Sequence, residues 1–376
     1  MALTAPPHTR LPEKTAPAHA IASGPDSPFT AWLAANVEGA RGGRGCTVTV
    51  RQFKGGQSNP TYWVGVTGAE SGDLELVLRK KPPGDLLPSA HAVEREHRIM
   101  KALDGTRVPV PKMLGLCTDA SVIGTPFFVM KYLPGRIFWD PTLPELDSNA
   151  HRSALYREYT DVLAALHQVD FTAVGLADYG KVGGYVARQV DRWSKQYESS
   201  RTSDIPAMDA LMAWLRSDLP KGDETTLIHG DYRIDNLMFT RPDDASASQP
   251  PVAIAVLDWE LSTLGHPISD LAYACMGYHL NLPGRGGLAG VDVASLGIPT
   301  EQEMVDAYCA KTGRANVADY PYFMAFGIFR LAAIAQGVFK RSQQGNASSD
   351  DASTYGAAVM MLADLGCGVA GIPTRK

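Results

Sequence analysis

Apolar and polar residues group along TVTVRQF (Thr47–Phe53) and along TYWVGVTG (Thr61–Gly68) into two runs rich in β-branched and aromatic residues, the composition of strands. The two runs flank Gly55-Gly56 and predict a hairpin with a long, flexible tip. A short apolar helix, AWLAANV, precedes them, and a third strand, LELVLRKKP, ends at Pro82-Pro83. Ser89 then opens a helical run, HAVEREHRIMKAL, in which Val93, Ile99, Met100 and Leu103 fall at helix-compatible spacing. Two further strands are predicted in MLGLC and TPFFVMKYL. Leu133-Pro134-Gly135 breaks the chain, and the pattern turns mostly helical, as in HRSALYREYTDVLAALHQV and GYVARQVDRWSKQYES. The predicted layout is β-β-β-α-β-β, a break, and a larger helical part.

One stretch interrupts the helical pattern. TTLIHGDYRIDNLMF and PPVAIAVLDWELSTLGHP consist of short β-type runs bracketing polar residues, joined by a loop, RPDDASASQPP, of no chemical interest. Helices are expected again in ISDLAYACMGYHL and in TEQEMVDAYCAKTG, the latter opened by a Thr300-x-x-Glu303 capping box. The segment Tyr322 to Phe339 approaches membrane-span length, but Arg330 and Gln336 interrupt it, so it reads as a buried helix of a large lobe. The first 28 residues mix Pro, Ala and polar residues without the apolar core of a secretory signal and read as a flexible tail.

Composition narrows the function classes. With 45% hydrophobic and 20% charged residues over 376 positions, the chain is globular in type, neither disordered nor fibrous. Lys and Arg number 35 against 40 Asp and Glu, a formal net charge of −5, which lacks the basic footprint of a nucleic-acid binder. Five scattered cysteines without a CxxC pair read as buried thiols in a reducing compartment, hence a cytoplasmic protein without a zinc site. No P-loop GK[ST], HExxH or GxSxG element occurs, and Gly284 to Ala289 fits G-x-G-x-x-A without a preceding strand, so it is a loop.

The candidate chemistry lies in His229-Gly230-Asp231-Tyr232-Arg233-Ile234-Asp235-Asn236, spaced H-x-D-x-x-x-x-N, with Asp258 following 22 residues after Asn236 at the end of an apolar strand. A carboxylate (Asp258) and an amide oxygen (Asn236) are hard donors suited to Mg²⁺ while phosphates complete its shell. Asp231, five residues before the amide, is placed to accept the proton of an attacking hydroxyl, and Arg233 to bring a permanent positive charge near a transferring phosphoryl group. His167 in LAALHQV reads as a packed helix-end histidine.

HGDYRIDNLMF, VLDWE, GHPISDLAY and GGQSNPTYWV together resemble the aminoglycoside-phosphotransferase family of protein-kinase-like enzymes, from about residue 30 to the C-terminus. LVLRKKPPG, HAVEREHRIMKAL, VIGTPFFVMKYLPGRIF and RQVDRWSKQY are most similar to the kinase-like domain found fused to acyl-CoA dehydrogenases. The resemblance implies an α+β, bilobal protein-kinase-like fold: a flexible tail (1–29), a small antiparallel-β lobe (30–133) and a larger, mostly helical lobe (134–376), with ATP and Mg²⁺ in the cleft. It implies Asp231 as catalytic base, Asn236 and Asp258 as metal ligands, Arg233 in the place of a catalytic-loop lysine, His229 holding the loop and Asp270 supporting it. The backbone of Lys131 and Leu133, after Met130, would pair with adenine, and Gly55, Gly56, Ser58 and Asn59 match the phosphate-covering hairpin tip.

Three departures from the kinase pattern stand out. The third strand should end in a lysine that meets the phosphates and a helix glutamate; LVLR puts Arg79 there, and a slip of one residue would present Lys80 instead. Glu96 is the best partner, with Glu94 two residues away. The Asp-Phe-Gly element is Asp258-Trp259-Glu260, and GGQSNP is not G-x-G-x-x-G. The expectation is a kinase acting on the hydroxyl of a small molecule, with neither nucleic acid nor membrane as partner. From the resemblance, the acceptor is a hydroxy fatty acid or hydroxyacyl-CoA. The alternative is a non-catalytic nucleotide- or acyl-CoA-binding regulator, suggested by Arg79. An aminoglycoside substrate finds no C-terminal acidic cluster to receive a polycation, and a protein-kinase role finds no Ala-Pro-Glu segment.

Overall fold

The computed structural model describes residues 15–18, 21–53, 59–82, 92–241, 249–282, 286–344 and 355–373. The chain divides into two compact units, one comprising Met1–Gly135 with Ile254–Glu260 and the other Arg136–Ala253 with Leu261–Lys376. The break expected after residue 133 thus falls after Gly135. The segment carrying Asp258 goes with the first unit because Val256 donates its N–H to the Pro109 carbonyl there (2.8 Å).

The first unit is built on an antiparallel sheet of β1 (Thr15–Pro17), β2 (Gly42–Phe53), β3 (Thr61–Ala69), β4 (Leu74–Lys80), β5 (Met113–Cys117) and β6 (Phe127–Lys131), in the order β1-β2-β3-β4-β6-β5. Helix α1 (Pro28–Asn36) lies between β1 and β2 in the chain and α2 (Val93–Leu103) between β4 and β5, so the β-β-β-α-β-β layout is present. β1 lies inside the stretch expected to be a flexible tail: Thr15 to Pro17 pair with Phe53 to Arg51, and the Arg51 guanidinium bonds the Thr15 hydroxyl and carbonyl. The tip glycines Gly55 and Gly56, together with Ser58, lie outside the described residues.

The alternation of β4 decides which side chains reach the site. Leu76 and Leu78 enter a core with Val50, Tyr62, Val64, Val129 and the α1 residues Phe29 and Leu33, while Phe127 meets Phe29 and Trp32 edge-on at 5.8 and 4.8 Å. Arg79, opposite Thr61 on β3 and Phe128 on β6, projects to the other face. Lys80 follows the core side and is buried there, which holds its ammonium below the usual lysine range by desolvation. Of the two registers open from the sequence, the structure takes the one that presents Arg79 toward α2.

The second unit is mostly helical: α3 (Asn149–His167), α4 (Tyr185–Ser200), α5 (Pro206–Ser217), α6 (Pro267–Cys275), α7 (Glu301–Thr312), α8 (Tyr320–Gln343) and α9 (Tyr355–Ala370). The expected capping box opens α7, with Thr300 and Glu303 each bonding the other's backbone N–H. α8 is the long apolar helix; it is long and apolar enough to cross a membrane, yet 72% of its most apolar stretch is buried within the protein, against α9, α4 and α6. Short strands punctuate the helices: β7 (Gly135–Arg136), β8 (Thr226–Ile228), β9 (Leu237–Thr240), β10 (Ala253–Val256), β11 (Thr263–Gly265), β12 (Asn281–Leu282) and β13 (Gly286–Gly287). β8 and β11 pair antiparallel, Ile228 opposite Thr263 and Thr226 opposite Gly265, which fixes the chain on both sides of the polar loop that begins at His229. All five cysteines are free thiols.

Candidate functional site

In the second unit the polar loop is held by its backbone. Asp270, on the first turn of α6, accepts the N–H of His229 (2.6 Å) and of Gly230 (2.9 Å). Burial alone would raise the Asp270 carboxyl, but His167, His229 and the backbone donors outweigh it and hold it below the usual range. His167 Nε2 stands 3.5 Å from that carboxylate, and its Nδ1 is 2.7 Å from the Tyr308 hydroxyl, so the packed helix-end histidine also steadies the loop's support. Gly230 has φ of +82°, and a Cβ there would stand 2.7 Å from the Leu261 carbonyl oxygen, so the loop requires glycine.

Aromatic packing anchors the next turn. Tyr232 is fully buried and stacks on Tyr159 with ring centroids 4.8 Å apart; each hydroxyl donates to the other residue's carbonyl, at 2.7 and 3.0 Å. The 3-10 turn Ile234–Asn236 follows and returns Asn236 to the loop, where its Nδ2 donates to the Asp231 carbonyl (2.8 Å) and to Asp231 Oδ2 (3.2 Å). That leaves the Asn236 Oδ1 facing away from Asp231. The residues expected as base and metal ligand are therefore in direct contact.

Charge around Asp231 is arranged on several sides. Arg233 Nε is 3.4 Å from Asp231 Oδ1, and its Nη2 is 3.3 Å from Asp235 Oδ2. Burial opposes the guanidinium charge, and the two carboxylates more than restore it. The hydroxyl of Tyr273 lies close to Asp231 and is pushed well up, first by burial and then by the Asp231 charge. Arg330, on α8, donates from Nη1 to the Gly230 carbonyl at 2.9 Å.

In the first unit Arg79 forms the centre of a second polar cluster. Its Nε lies 3.0 Å from Glu96 Oε2 and its Nη2 2.6 Å from Asp258 Oδ1. Asn59, expected at the hairpin tip, is buried, and its Nδ2 donates to Glu96 Oε1 at 2.7 Å; the amide is committed to the glutamate. Burial raises Glu96 to about 7 against the opposing pull of Arg79. Glu94, the other sequence candidate, pairs with Lys81 at 2.9 Å instead. Asp258 adopts φ of +62°, unusual for a residue with a side chain, and Trp259 after it is fully buried with Nε1 donating to the Val256 carbonyl (2.9 Å). Lys131 ends β6 and gives its N–H to the Lys112 carbonyl (2.9 Å), while the Leu133 carbonyl accepts from Gly135 (2.9 Å).

The sequence singled out neither Asp235, Tyr273, Arg330 nor the link from Asn59 to Glu96. Asp235 sits within the quoted motif and could have been found there as a second carboxylate two residues after Arg233. Arg330 offered a weaker signal, an arginine inside an otherwise apolar helix. Among the described residues no group of three or more His, Cys, Asp and Glu side chains is arranged to hold a metal.

Comparison with known proteins finds relatives by sequence and by fold. Residues 49–304 match the model of the APH family, described as the phosphotransferase enzyme family. Acyl-CoA dehydrogenase family member 10 of Mus musculus is 49% identical over 316 residues, covering 84% of this chain and 28% of that protein, so the chain spans little more than a quarter of that relative. A crystal structure from Ralstonia eutropha JMP134, provisionally named an aminoglycoside phosphotransferase, is 44% identical with a TM-score of 0.82, covering 93% of this chain and 99% of that one. A thermostable mutant of aminoglycoside phosphotransferase APH(4)-Ia, in ternary complex with AMP-PNP and hygromycin B, shares the fold at 14% identity, with a TM-score of 0.54 over 86% of this chain and 95% of that one. The fold is the bilobal, kinase-like α+β type.

Proposed function

The chain belongs to the phosphotransferase enzyme family, and from that membership we propose that it moves the γ-phosphoryl group of ATP onto a hydroxyl of a small molecule. The observation that carries this reading is the Asp231 carboxylate, held by Asn236 and flanked by Arg233 on a loop fastened through Asp270. The acceptor oxygen attacks the γ-phosphorus, the bond to the β,γ-bridging oxygen breaks, the hydroxyl proton passes to Asp231 and ADP leaves. Because the transition state is loose, Asp231 acts mainly by orienting the hydroxyl, and an ordinary carboxylate suffices.

Arg233 stands beside the base and supplies fixed positive charge where negative charge accumulates on the phosphoryl oxygens. Magnesium, when bound, would neutralise phosphate charge, and Asn236 and Asp258 would hold it. Their donors suit a hard cation: the Asn236 amide spends its N–H groups on Asp231, and Asp258 keeps Oδ2 outside its bond to Arg79. Arg79, in the lysine's place, would meet the α/β-phosphates, with Glu96 and Asn59 behind it, and the Lys131 and Leu133 backbone would meet adenine.

We assign the acceptor to hydroxylated fatty acids or their CoA thioesters. The support is the 49% identity to a relative named as an acyl-CoA dehydrogenase family member. The ion pair from Arg79 to Glu96 speaks against a non-catalytic regulator, because arginine here preserves the charge contact a lysine would make. The test is ATP turnover with a panel of hydroxy acids and hydroxyacyl-CoAs. Asp231→Asn should lower turnover by about 10²–10⁴-fold, and an unchanged rate would overturn the assignment.

A further inference from the structure

Among the described residues Arg330 has no carboxylate within ion-pair distance, and its hydrogen bond there runs from Nη1 to the Gly230 carbonyl. The guanidinium instead meets two rings, with its central carbon 5.5 Å from the Trp193 centroid and 5.4 Å from that of Tyr273. A second arginine, Arg192, stands over the same Trp193 at 5.7 Å. Two N–H donors in this cluster, Arg330 Nε and Trp193 Nε1, are buried and have no acceptor among the described residues.

Each of these features is costly in isolation. A buried donor without an acceptor forfeits its hydration, and a guanidinium set among aromatic rings gives up water for a weaker interaction. The cluster also adjoins the chemistry directly, since Arg330 holds the carbonyl of Gly230, the residue before Asp231, and the Tyr273 hydroxyl lies close to the Asp231 carboxylate. Tyr273 thus separates a fixed negative charge, Asp231, from a fixed positive one. An acceptor whose hydroxyl meets Asp231 would present its neighbouring groups to the arginine.

We infer that Arg330, supported by Trp193, is the specificity-determining residue for an anionic oxygen group carried by the phosphoryl acceptor, either the carboxylate of a free hydroxy acid or a phosphate of its CoA carrier. The inference rests on the phosphotransferase reading and sharpens it. A planar guanidinium fixed on two rings is pre-organised to give bidentate hydrogen bonds to an oxyanion, and the positive pair Arg330 and Arg192 disfavours a cationic acceptor.

The test compares acceptors rather than overall rates, because Arg330 also holds the Gly230 carbonyl. A medium-chain hydroxy fatty acid, its neutral primary amide, its CoA thioester and the matching pantetheine thioester are assayed with wild type, Arg330→Gln and Trp193→Phe. Wild type should prefer the anionic member of one pair by about 10- to 100-fold in kcat/KM, the worth of a charge-assisted hydrogen bond. Arg330→Gln should bring that ratio close to one, and Trp193→Phe should reduce it by raising KM. Preference for the acid over its amide assigns the carboxylate; preference for the CoA thioester over the pantetheine thioester assigns the phosphates. Equal use of both members of each pair by wild type, or a preference that survives Arg330→Gln, overturns the inference while leaving the kinase reading intact. Calorimetric binding of the same compounds without nucleotide separates the two further. Arg330-dependent preference for the anion without phosphoryl transfer sinks the kinase reading alone, and absence of that preference in binding as well as turnover sinks the inference.

Discussion

The Arg79 guanidinium bridges Glu96 and Asp258, reaching Glu96 Oε2 from Nε at 3.0 Å and Asp258 Oδ1 from Nη2 at 2.6 Å. Those two carboxylates come from a helix and a strand end separated by 162 positions in the chain, and one side chain ties both. Lysine gives its three N–H groups from a single nitrogen, so both carboxylates would have to converge on that one atom, whereas the arginine fork reaches them from two separate nitrogens. The arginine at this position is thus a geometric solution to a site in which the glutamate and the aspartate must be held together.

Arg79→Lys should accordingly keep the charge and lose one of the two bonds. The expected cost is about 1–3 kcal/mol in unfolding free energy, the worth of one hydrogen bond to a charged group. Denaturant unfolding of the purified variant measures it, and a lysine variant as stable as wild type would show that the fork is dispensable.

Glu96 makes the same cluster sensitive to pH. Burial raises its carboxyl from 4.5 to about 7, above its value in the unfolded chain, despite Arg79. The folded state therefore binds the proton more tightly, and the associated stability is full below about pH 4.5 and is lost as the pH rises through 7. Glu96→Gln does not titrate, so the difference in urea midpoint between wild type and Glu96→Gln should change between pH 5 and 8, moving against wild type at the higher pH. A difference independent of pH would remove Glu96 as the titrating group.

The parts of the site that a sequence can display are those carried by local spacing. His229, Asp231, Asn236 and Asp258 sit on loops at strand ends, so their spacing along the chain could propose a role for each, and the alternation of β4 already separates Arg79 from Lys80. Glu96 was readable as a partner because α2 follows that strand directly. What spacing could not display was tertiary: Asn59 bonds Glu96 from 37 positions away, and Arg330 reaches the Gly230 carbonyl from 100 positions away. In the sequence Arg330 only interrupts an apolar helix, and it acquires its meaning when α8 packs beside α6. The short strand at Thr15–Pro17 was hidden for another reason, since three residues ending in proline show no alternation to read.

Asp270 should be the most sensitive position that does not touch the reacting groups. Its two oxygens accept the adjacent N–H groups of His229 and Gly230 in a fully buried setting. Asp270→Asn replaces one acceptor with an N–H pair and leaves a buried backbone donor unmatched, at a cost of about 1–3 kcal/mol. Because the loop carries Asp231, kcat should fall along with stability while KM for ATP changes little. Unfolding and steady-state kinetics on the same preparation would check both, and a variant with full kcat would sever Asp270 from loop positioning.

Gly230→Ala tests the loop through the backbone. With φ of +82° and a Cβ only 2.7 Å from the Leu261 carbonyl oxygen, alanine meets main chain, which cannot swing aside as a side-chain tip would. The left-handed conformation alone costs about 1–2 kcal/mol for a residue with a Cβ, and the steric contact adds to it. The expected result is a lowered denaturant midpoint with a disproportionate loss of turnover, and an alanine variant of wild-type stability would contradict the close approach.

His266 opposes Glu96 over an overlapping range of pH, and the two can be separated. Its ring is buried, stacks on Phe323 at 4.4 Å, and accepts the Ile268 N–H at Nδ1 (3.3 Å) as the N-terminal cap of α6. Burial lowers its pKa from 6.5 to about 4, because protonation would charge a desolvated ring. The folded value lies below the unfolded one, so this contribution is present above pH 6.5 and is lost as the pH falls through 4. Asn is a strong capping residue and does not titrate, so His266→Asn should preserve the cap while sacrificing about 1 kcal/mol of ring contact at neutral pH. Measured in the Glu96→Gln background, where the opposing slope is removed, the urea midpoint should fall between pH 7 and 4.5 when His266 is present and fall less when it is asparagine. Equal declines in the two proteins would place the acid sensitivity elsewhere than at the start of α6, the helix that carries Asp270.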